Sequence, residues 1–170
     1  MEITPTQVGE AKLLPEVERS ASKAFLTIPG LAFVADGRLT SAVEHERYIG
    51  LGTSWVARVN SQCLGFVCAE RFGSDLHVWE LSVHADAQRH GIGAGLMAHV
   101  IRHAQNEGLE SVTLTTFRSV AFNAPFYERF GFVCIEGDAR AQDVRLQSAL
   151  LAEAAHGFPA ESRCAMRLRF

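Results

Sequence analysis

A chain of 170 residues, 48% hydrophobic and 21% charged, carries enough apolar mass for one substantial core and too little length for two. Sixteen basic residues against nineteen acidic ones leave a formal net charge of −3, and no run of Lys and Arg supplies the electrostatic footprint of a nucleic-acid binder. No basic segment leads into an apolar one at the start, and no apolar run approaches bilayer length, so a cytoplasmic protein with a small-molecule partner is expected.

From Pro15 to Phe25 the apolar residues Val17, Ala21, Ala24 and Phe25 recur at helical spacing, with proline suited to a first turn. Ile28-Pro29-Gly30 breaks that helix and opens a loop holding Leu31, Phe33 and Val34. Ser41 is placed to cap a short helix ending near Gly50 or Gly52. Three strands follow, Thr53 to Val59, Cys63 to Phe72 and Leu76 to Val83, separated by the turn compositions Asn60-Ser61-Gln62 and Gly73-Ser74-Asp75, which predicts an antiparallel meander.

Ile92 to Asn106 is a second long helix with Ile92, Leu96, Met97, Val100, Ile101 and Ala104 inward, and Gly108 stops it. Val112 to Phe117 reads as a strand, and the helical crossover before it implies parallel pairing with Leu76 to Val83. A short helix carries Pro125, and Gly131 stands where a left-handed C-cap is wanted. Phe132 to Ile135 returns as a strand and Asp143 to Ala155 as a helix. The end alternates Cys164, Met166, Leu168 and Phe170 with Arg163, Arg167 and Arg169, which predicts a last half-buried strand.

Cys63, Cys68, Cys134 and Cys164 lie in apolar surroundings without CxxC spacing and read as reduced core thiols. His99 and His103 have the i, i+4 spacing of a helical metal pair, but no third ligand accompanies them, so no metal is expected.

The chemistry concentrates at Gln88-Arg89-His90-Gly91-Ile92-Gly93-Ala94, between a strand and a helix. A helix N-terminus leaves its first amide N–H groups unpaired at the positive end of the dipole, and glycine there removes the Cβ that would hold phosphate away. The same composition also serves a plain turn. A dinucleotide-binding reading of Gly91-Ile92-Gly93-Ala94-Gly95 is disfavoured, because His84 to His90 intervene after the strand and no acidic residue ends Val112 to Phe117.

Together with Asn123-Ala124-Pro125-Phe126-Tyr127-Glu128-Arg129-Phe130-Gly131-Phe132, this loop resembles the GNAT superfamily of acetyl-CoA-dependent N-acetyltransferases, from about Leu76 to Ile135. The resemblance implies one domain over residues 1–170 with an α/β (α+β) acyl-CoA N-acyltransferase fold. That fold is a mixed sheet of about six or seven strands flanked by helices, antiparallel at first and with a splayed parallel pair at the cofactor cleft. It implies acetyl-CoA as acetyl donor, with backbone groups of Leu81, Ser82 and Val83 facing the pantetheine arm, and Gln88, Arg89, His90, Gly91, Ile92, Gly93 and Ala94 holding the pyrophosphate. Asn123 and Phe126 complete the cofactor contacts, although Asn123 is equally suited to cap its helix.

By the same resemblance Glu80 is the general base and Tyr127 the general acid toward the leaving thiolate, in direct attack by a primary amine within a ternary complex. An ordinary carboxylate near pKa 4.3 is a poor base for an ammonium near 10, so burial of Glu80 beside Trp79 or Phe117, or a water relay, is expected. Glu80 as an ion-pair partner and Tyr127 as a core tyrosine between Phe126 and Phe130 are the plain alternatives. Phe25, Phe33, Trp55, Phe117 and Arg118 are placed on the acceptor side by analogy, Arg118 as a partner for a carboxylate.

The chain departs from the family pattern at Val120, where asparagine is common, at Ala85, where proline is common, and at His90, where a permanent cation is common. A homodimer remains an option, and so does a non-catalytic acyl-CoA-binding or sensor module of the same fold.

Overall fold

The computed structural model describes residues 1–137, 143–155 and 157–170. The seven strands hydrogen-bond in the order β1-β2-β3-β4-β5-β7-β6. The chain divides into two compact units, Met1–Glu70 with Trp79–His103, and Arg71–Val78 with Ala104–Phe170. Among the described residues no helix is long and apolar enough to cross a membrane.

In the first unit, β1 (Glu2–Pro5) pairs antiparallel with β2 (Ser54–Val59), and β2 pairs antiparallel with β3 (Gln62–Phe72). β1 was not expected, because four residues ending in proline are too short for an alternation to register, and proline is tolerated at a sheet edge. Asn60 and Ser61 both take positive φ, 51° and 65°, as a tight two-residue hairpin requires. Gly65 on β3 is a point of close approach: a Cβ there would stand 3.0 Å from Ile92 Cγ2 and 3.1 Å from the Ser82 carbonyl oxygen. The helix α3 (Ile92–Asn106) therefore sits directly on the sheet.

α1 (Leu14–Ser22) starts with Pro15 in its first turn and buries Leu14 and Val17 against Val56, Phe66 and Cys68. The expected extension to Phe25 is a separate 3-10 turn, Lys23–Thr27, because the Ser22 hydroxyl donates to the Arg19 carbonyl and competes with the helical ladder. Leu31 to Val34, expected as open loop, includes part of a second such turn, Ala32–Asp36. α2 (Ala42–Gly50) carries the expected Ser41 cap as a reciprocal box with Glu44.

The second unit includes Asp75–Val78 of β4 (Asp75–Val83), which pairs parallel with β5 (Ser111–Phe117), from Asp75↔Ser111 to Val78↔Leu114. β5 pairs antiparallel with β7 (Arg163–Arg169), which also takes β6 (Val133–Cys134). β6 is shorter than the expected Phe132 to Ile135, although the Ile135 N–H still donates to Ala165. α4 (Ala124–Glu128) and α5 (Val144–Ala155) complete the unit, α5 burying Leu146 against Ile135 and Ala165.

β7 alternates less than its sequence predicts, since Cys164, Ala165 and Met166 are all buried between two partner strands. Two of its three arginines meet partners: Arg163 forks onto Glu153 and stacks on Phe117 and Phe158, and Arg167 reaches Asp143 at 2.6 Å and Asp75 at 3.3 Å.

His45 on α2 is fully buried, its ring edge-on to Phe66 at 4.9 Å, with no hydrogen-bond partner for either nitrogen among the described residues. Burial pushes its pKa down to about 4, against a weaker upward pull from Glu44, so the folded state holds the neutral ring. The unfolded ring protonates near 6.5, so folding stability should fall as pH drops from about 6.5 toward 4, by about 2–3 kcal/mol in all. His45→Leu should flatten part of that loss in urea melts between pH 7.5 and 4.5, while His77, pushed down to about 3 by burial and Arg145, keeps its own share. Identical pH dependence in the two proteins would show that His45 does not resist protonation.

Candidate functional site

Glu80 and Ser82 are two residues apart on β4 and so share one face of the strand, and the Ser82 hydroxyl donates to Glu80 Oε1 at 2.7 Å. Trp79 points to the opposite face, where its indole N–H donates to Glu70. Trp79 therefore does not desolvate Glu80 as expected, because neighbours in sequence cannot share a face of a strand.

α1 is fixed over the end of β4 by side chains. Ser20 Oγ accepts the Ala85 N–H at 3.1 Å, and the Gln88 amide donates to Val83 O at 3.1 Å and Ala21 O at 3.5 Å. Gln88, expected near the pyrophosphate, is thus an anchor between β4 and α1, and it takes up the Val83 carbonyl that the resemblance set against the pantetheine arm.

Upstream of that anchor on α1 stands Glu18, half-buried, whose two carboxyl oxygens both receive the Thr40 N–H, at 3.0 and 3.3 Å. Burial, and then the charge of Glu80, push its pKa up to about 8. The sequence reading passed over Glu18, yet a signal was present: Leu14, Val17, Glu18 and Ala21 lie at i, i+3, i+4 and i+7, which puts an acid inside the apolar stripe.

Beyond β4 the chain makes a 3-10 turn, Ala85–Ala87, and then reverses with Arg89 at φ 62° and Gly91 at φ 83°. Left-handed residues there turn successive amides to one side, as in an anion-binding nest. The Gly95 N–H to Gly91 O bond is the first of the α3 ladder, so the amides from Arg89 to Ala94 precede it. Nothing stands within 4 Å of where a Gly91 Cβ would be, so the approach is open. Arg89 and His90 are exposed; the His90 ring does not extend freely but bonds the Gln88 carbonyl through Nδ1 at 2.8 Å. Ile92 is buried at the α3 start, with Gly93 and Ala94 half-buried beside it. This arrangement fits a pyrophosphate held mainly by backbone amides.

In the second unit Tyr127 is 8% exposed on α4, edge-on to Phe126 at 5.0 Å and to Phe132 at 5.9 Å. Asn123 precedes α4 without capping it through its side chain; its backbone carbonyl accepts the Phe126 and Tyr127 N–H groups. Its Oδ1 is buried with no hydrogen-bond partner among the described residues, an acceptor that a ligand N–H or hydroxyl would satisfy. Val120 is buried.

The residues expected on the acceptor side belong to both units. Phe25 is half-buried on the Lys23–Thr27 turn, and Phe33 is exposed on the Ala32–Asp36 turn, which packs against it. Trp55 is 3% exposed beneath His99 and His103, with ring centroids at 5.3 and 4.8 Å, so that histidine pair packs on an indole. Phe117 is buried against Phe158, and Arg118 bonds Glu136 at 2.6 Å, which already answers its charge. Among the described residues no group of three or more His, Cys, Asp or Glu is placed to hold a metal.

Comparison with known proteins decides the family: that of the GNAT acetyltransferases matches residues 24–132. The chain belongs to the acetyltransferase (GNAT) family. UPF0157 protein YqkA of Bacillus subtilis (strain 168) is 30% identical over 115 residues, which are 68% of this chain and 29% of that protein, so the match spans less than a third of the relative. Among solved structures, the PaiA N-acetyltransferase of Thermoplasma acidophilum, in complex with coenzyme A, superposes with TM-score 0.73 at 17% identity, over 99% of this chain and 98% of that one. The ribosomal-protein-S18-alanine N-acetyltransferase of Escherichia coli gives 0.65 at 17% identity, over 99% and 92%. The GNAT fold is thereby established, with the parallel β4–β5 pair in its mixed sheet.

Gly91→Val should abolish the rise in Tm that acetyl-CoA produces, since a β-branched residue at positive φ costs about 1–2 kcal/mol and forces the turn open. Gly73→Val carries similar strain, φ 60°, in the β3–β4 turn, and should lower Tm in the apo protein while leaving the acetyl-CoA shift intact. Equal shifts in both variants would make the Gly91 loop a turn only.

Proposed function

We propose that this GNAT protein transfers an acetyl group from acetyl-CoA to a primary amine of a small molecule. The observation that carries the reading is the Arg89–Gly91 reversal, with left-handed φ at both residues, which presents the amides at the start of α3 to an anion. The pyrophosphate of acetyl-CoA matches it, with Arg89 adding charge.

An amine reaches the enzyme as an ammonium, about 0.1% deprotonated at pH 7 when its pKa is near 10. Glu80, half-buried and oriented by Ser82, attracts that cation and takes its proton, directly or through water. The freed nitrogen lone pair attacks the acetyl carbonyl carbon, the C–N bond forms, and the C–S bond breaks with CoA leaving as thiolate. Tyr127 donates a hydrogen bond to that sulfur that strengthens as its charge develops. A net charge of −3 and the absence of a basic run favour a small cation over a nucleic-acid-bound acceptor.

Thiol release from acetyl-CoA should be stimulated by members of a small primary-amine panel more than by peptides presenting free N-termini. The reverse order would move the acceptor to protein, and acetyl-CoA binding without thiol release would favour a sensor module. Tyr127→Phe should keep acetyl-CoA affinity within a few fold and lower kcat by about 10². An unchanged kcat would return Tyr127 to a packing role.

A further inference from the structure

Cys134 on β6 and Cys164 on β7 come from neighbouring strands of the second unit and share one face of its sheet. The register sets Cys134 opposite Met166 and Val133 opposite Arg167, and the Ile135 N–H donates to the Ala165 carbonyl at 2.9 Å, so Cys164 stands one diagonal step from Cys134. Ile135 and Ala165, the residues next to the two cysteines, both pack on Leu146 of α5. Successive side chains of a strand point to opposite faces, so both thiols lie on the face turned away from α5. Both are free: Cys134 is half-buried, and Cys164 is 1% exposed. Val133 beside Cys134 is 64% exposed, so solvent reaches this end of the sheet. Cys63 and Cys68 form no comparable pair, because five residues of the one strand β3 hold them about 16 Å apart.

Diagonal positions on antiparallel strands stand about 7–8 Å apart at Cα and closer at Cβ, while a disulfide takes Cα separations up to about 6.8 Å. Closing the bond therefore asks for a shift on the order of 1 Å. The strand that must give is the one least able to resist: β6 has two residues and ends the sheet, with β7 as its neighbour. We propose that Cys134 and Cys164 are a redox modification site, oxidised by a peroxide to a disulfide that pins β6 to β7 and released again by a dithiol.

Cys134, the more accessible thiol, meets the peroxide first. Its sulfur, as thiolate, attacks one peroxide oxygen, the O–O bond breaks, and the departing hydroxide joins the proton that the thiol gave up, leaving a sulfenic acid and one water. The Cys164 sulfur then attacks the Cys134 sulfur, the S–O bond breaks, and the second hydroxide takes the Cys164 proton as another water. Two electrons have passed from the sulfurs to the peroxide. Burial, and then Cys134 beside it, push the Cys164 thiol up to about 12, so it does not compete for the peroxide and acts only through its nearness to the oxidised partner. Phe132, immediately before β6, is buried and stands edge-on to Tyr127 at 5.9 Å, so the bond would anchor the segment against which that ring rests.

The test needs no turnover. Reduced protein, freed of reductant, is treated with hydrogen peroxide, alkylated, digested without reductant and mapped by mass spectrometry. A peptide pair joining Cys134 to Cys164, two hydrogens lighter than the separate peptides, should accumulate while Cys63 and Cys68 stay alkylated, and dithiothreitol should release it. In Cys164→Ala, with no thiol left to resolve it, the sulfenic acid at Cys134 should pass on to sulfinic acid about tenfold faster than in the wild type. No bridge in the wild type, a bridge to Cys63 or Cys68, or equal sulfinic acid in the two proteins overturns the proposal. Hydrogen exchange then reads the pinning: the amides from Val133 to Ile135 should exchange about fivefold more slowly in the oxidised wild type, and peroxide should leave them unchanged in Cys134→Ser. A bridge that does not slow them shows that the bond forms without holding β6.

Discussion

The end of β4 constrains everything the first unit offers to a ligand. At Val83 the strand stops, and Gln88 reaches back to its carbonyl and across to Ala21, while Ser20 takes the Ala85 amide. Each contact is worth about 1 kcal/mol as a neutral hydrogen bond, so their value is less in stability than in register. They fix which residue of α1 stands over which residue of β4. They also set the point at which the chain turns left-handed at Arg89 and Gly91 and launches α3. A slip of one residue at this junction would carry Glu80 to the other face of the strand and dismantle the amide array together.

In the same unit two glutamates show how one side chain takes different states in different surroundings. Glu44 closes the α2 capping box, accepts from Ser41 and Arg38, and is held down at about 2. Glu18, in the same unit, receives a backbone N–H from Thr40 but loses water to burial and feels the charge of Glu80, and it is pushed up to about 8. The number of donors and the access of water decide between these outcomes, not the residue type. Such separation of neighbouring acids is found both at sites that move protons and in structural networks.

The second unit uses charge differently. Arg145, Arg167, Asp75 and Asp143 interlock around Thr113, and His77 bonds the same threonine hydroxyl at 2.9 Å. Two arginines against two aspartates leave the cluster balanced, with Asp75 meeting arginines from both α5 and β7. This network ties the first strand of the unit to its last helix and strand. Buried ion pairs of this kind gain little net stability over apolar packing but are costly to break singly, so they specify the arrangement. On α4 of the same unit Tyr127 is set among phenylalanines.

By itself the sequence determined the elements whose signal is local. The meander, α3, the parallel crossover, the Ser41 cap and the glycine turn before α3 all follow from periodicity, turn residues or a cap, and each can be read within a short window. The candidate base and acid, Glu80 and Tyr127, were legible through family resemblance carried by two short motifs. Tertiary structure decided the rest. β1 is too short to announce itself; Trp79 bonds Glu70, and Trp55 lies under two histidines, because a strand's faces are assigned only when its neighbours are in place. Glu18 is the clearest case: its position in an apolar stripe marks it as odd, but burial and the charge of Glu80 exist only once α1 is laid over β4. A proton affinity is a property of surroundings, and surroundings are made by contacts between residues distant in the chain.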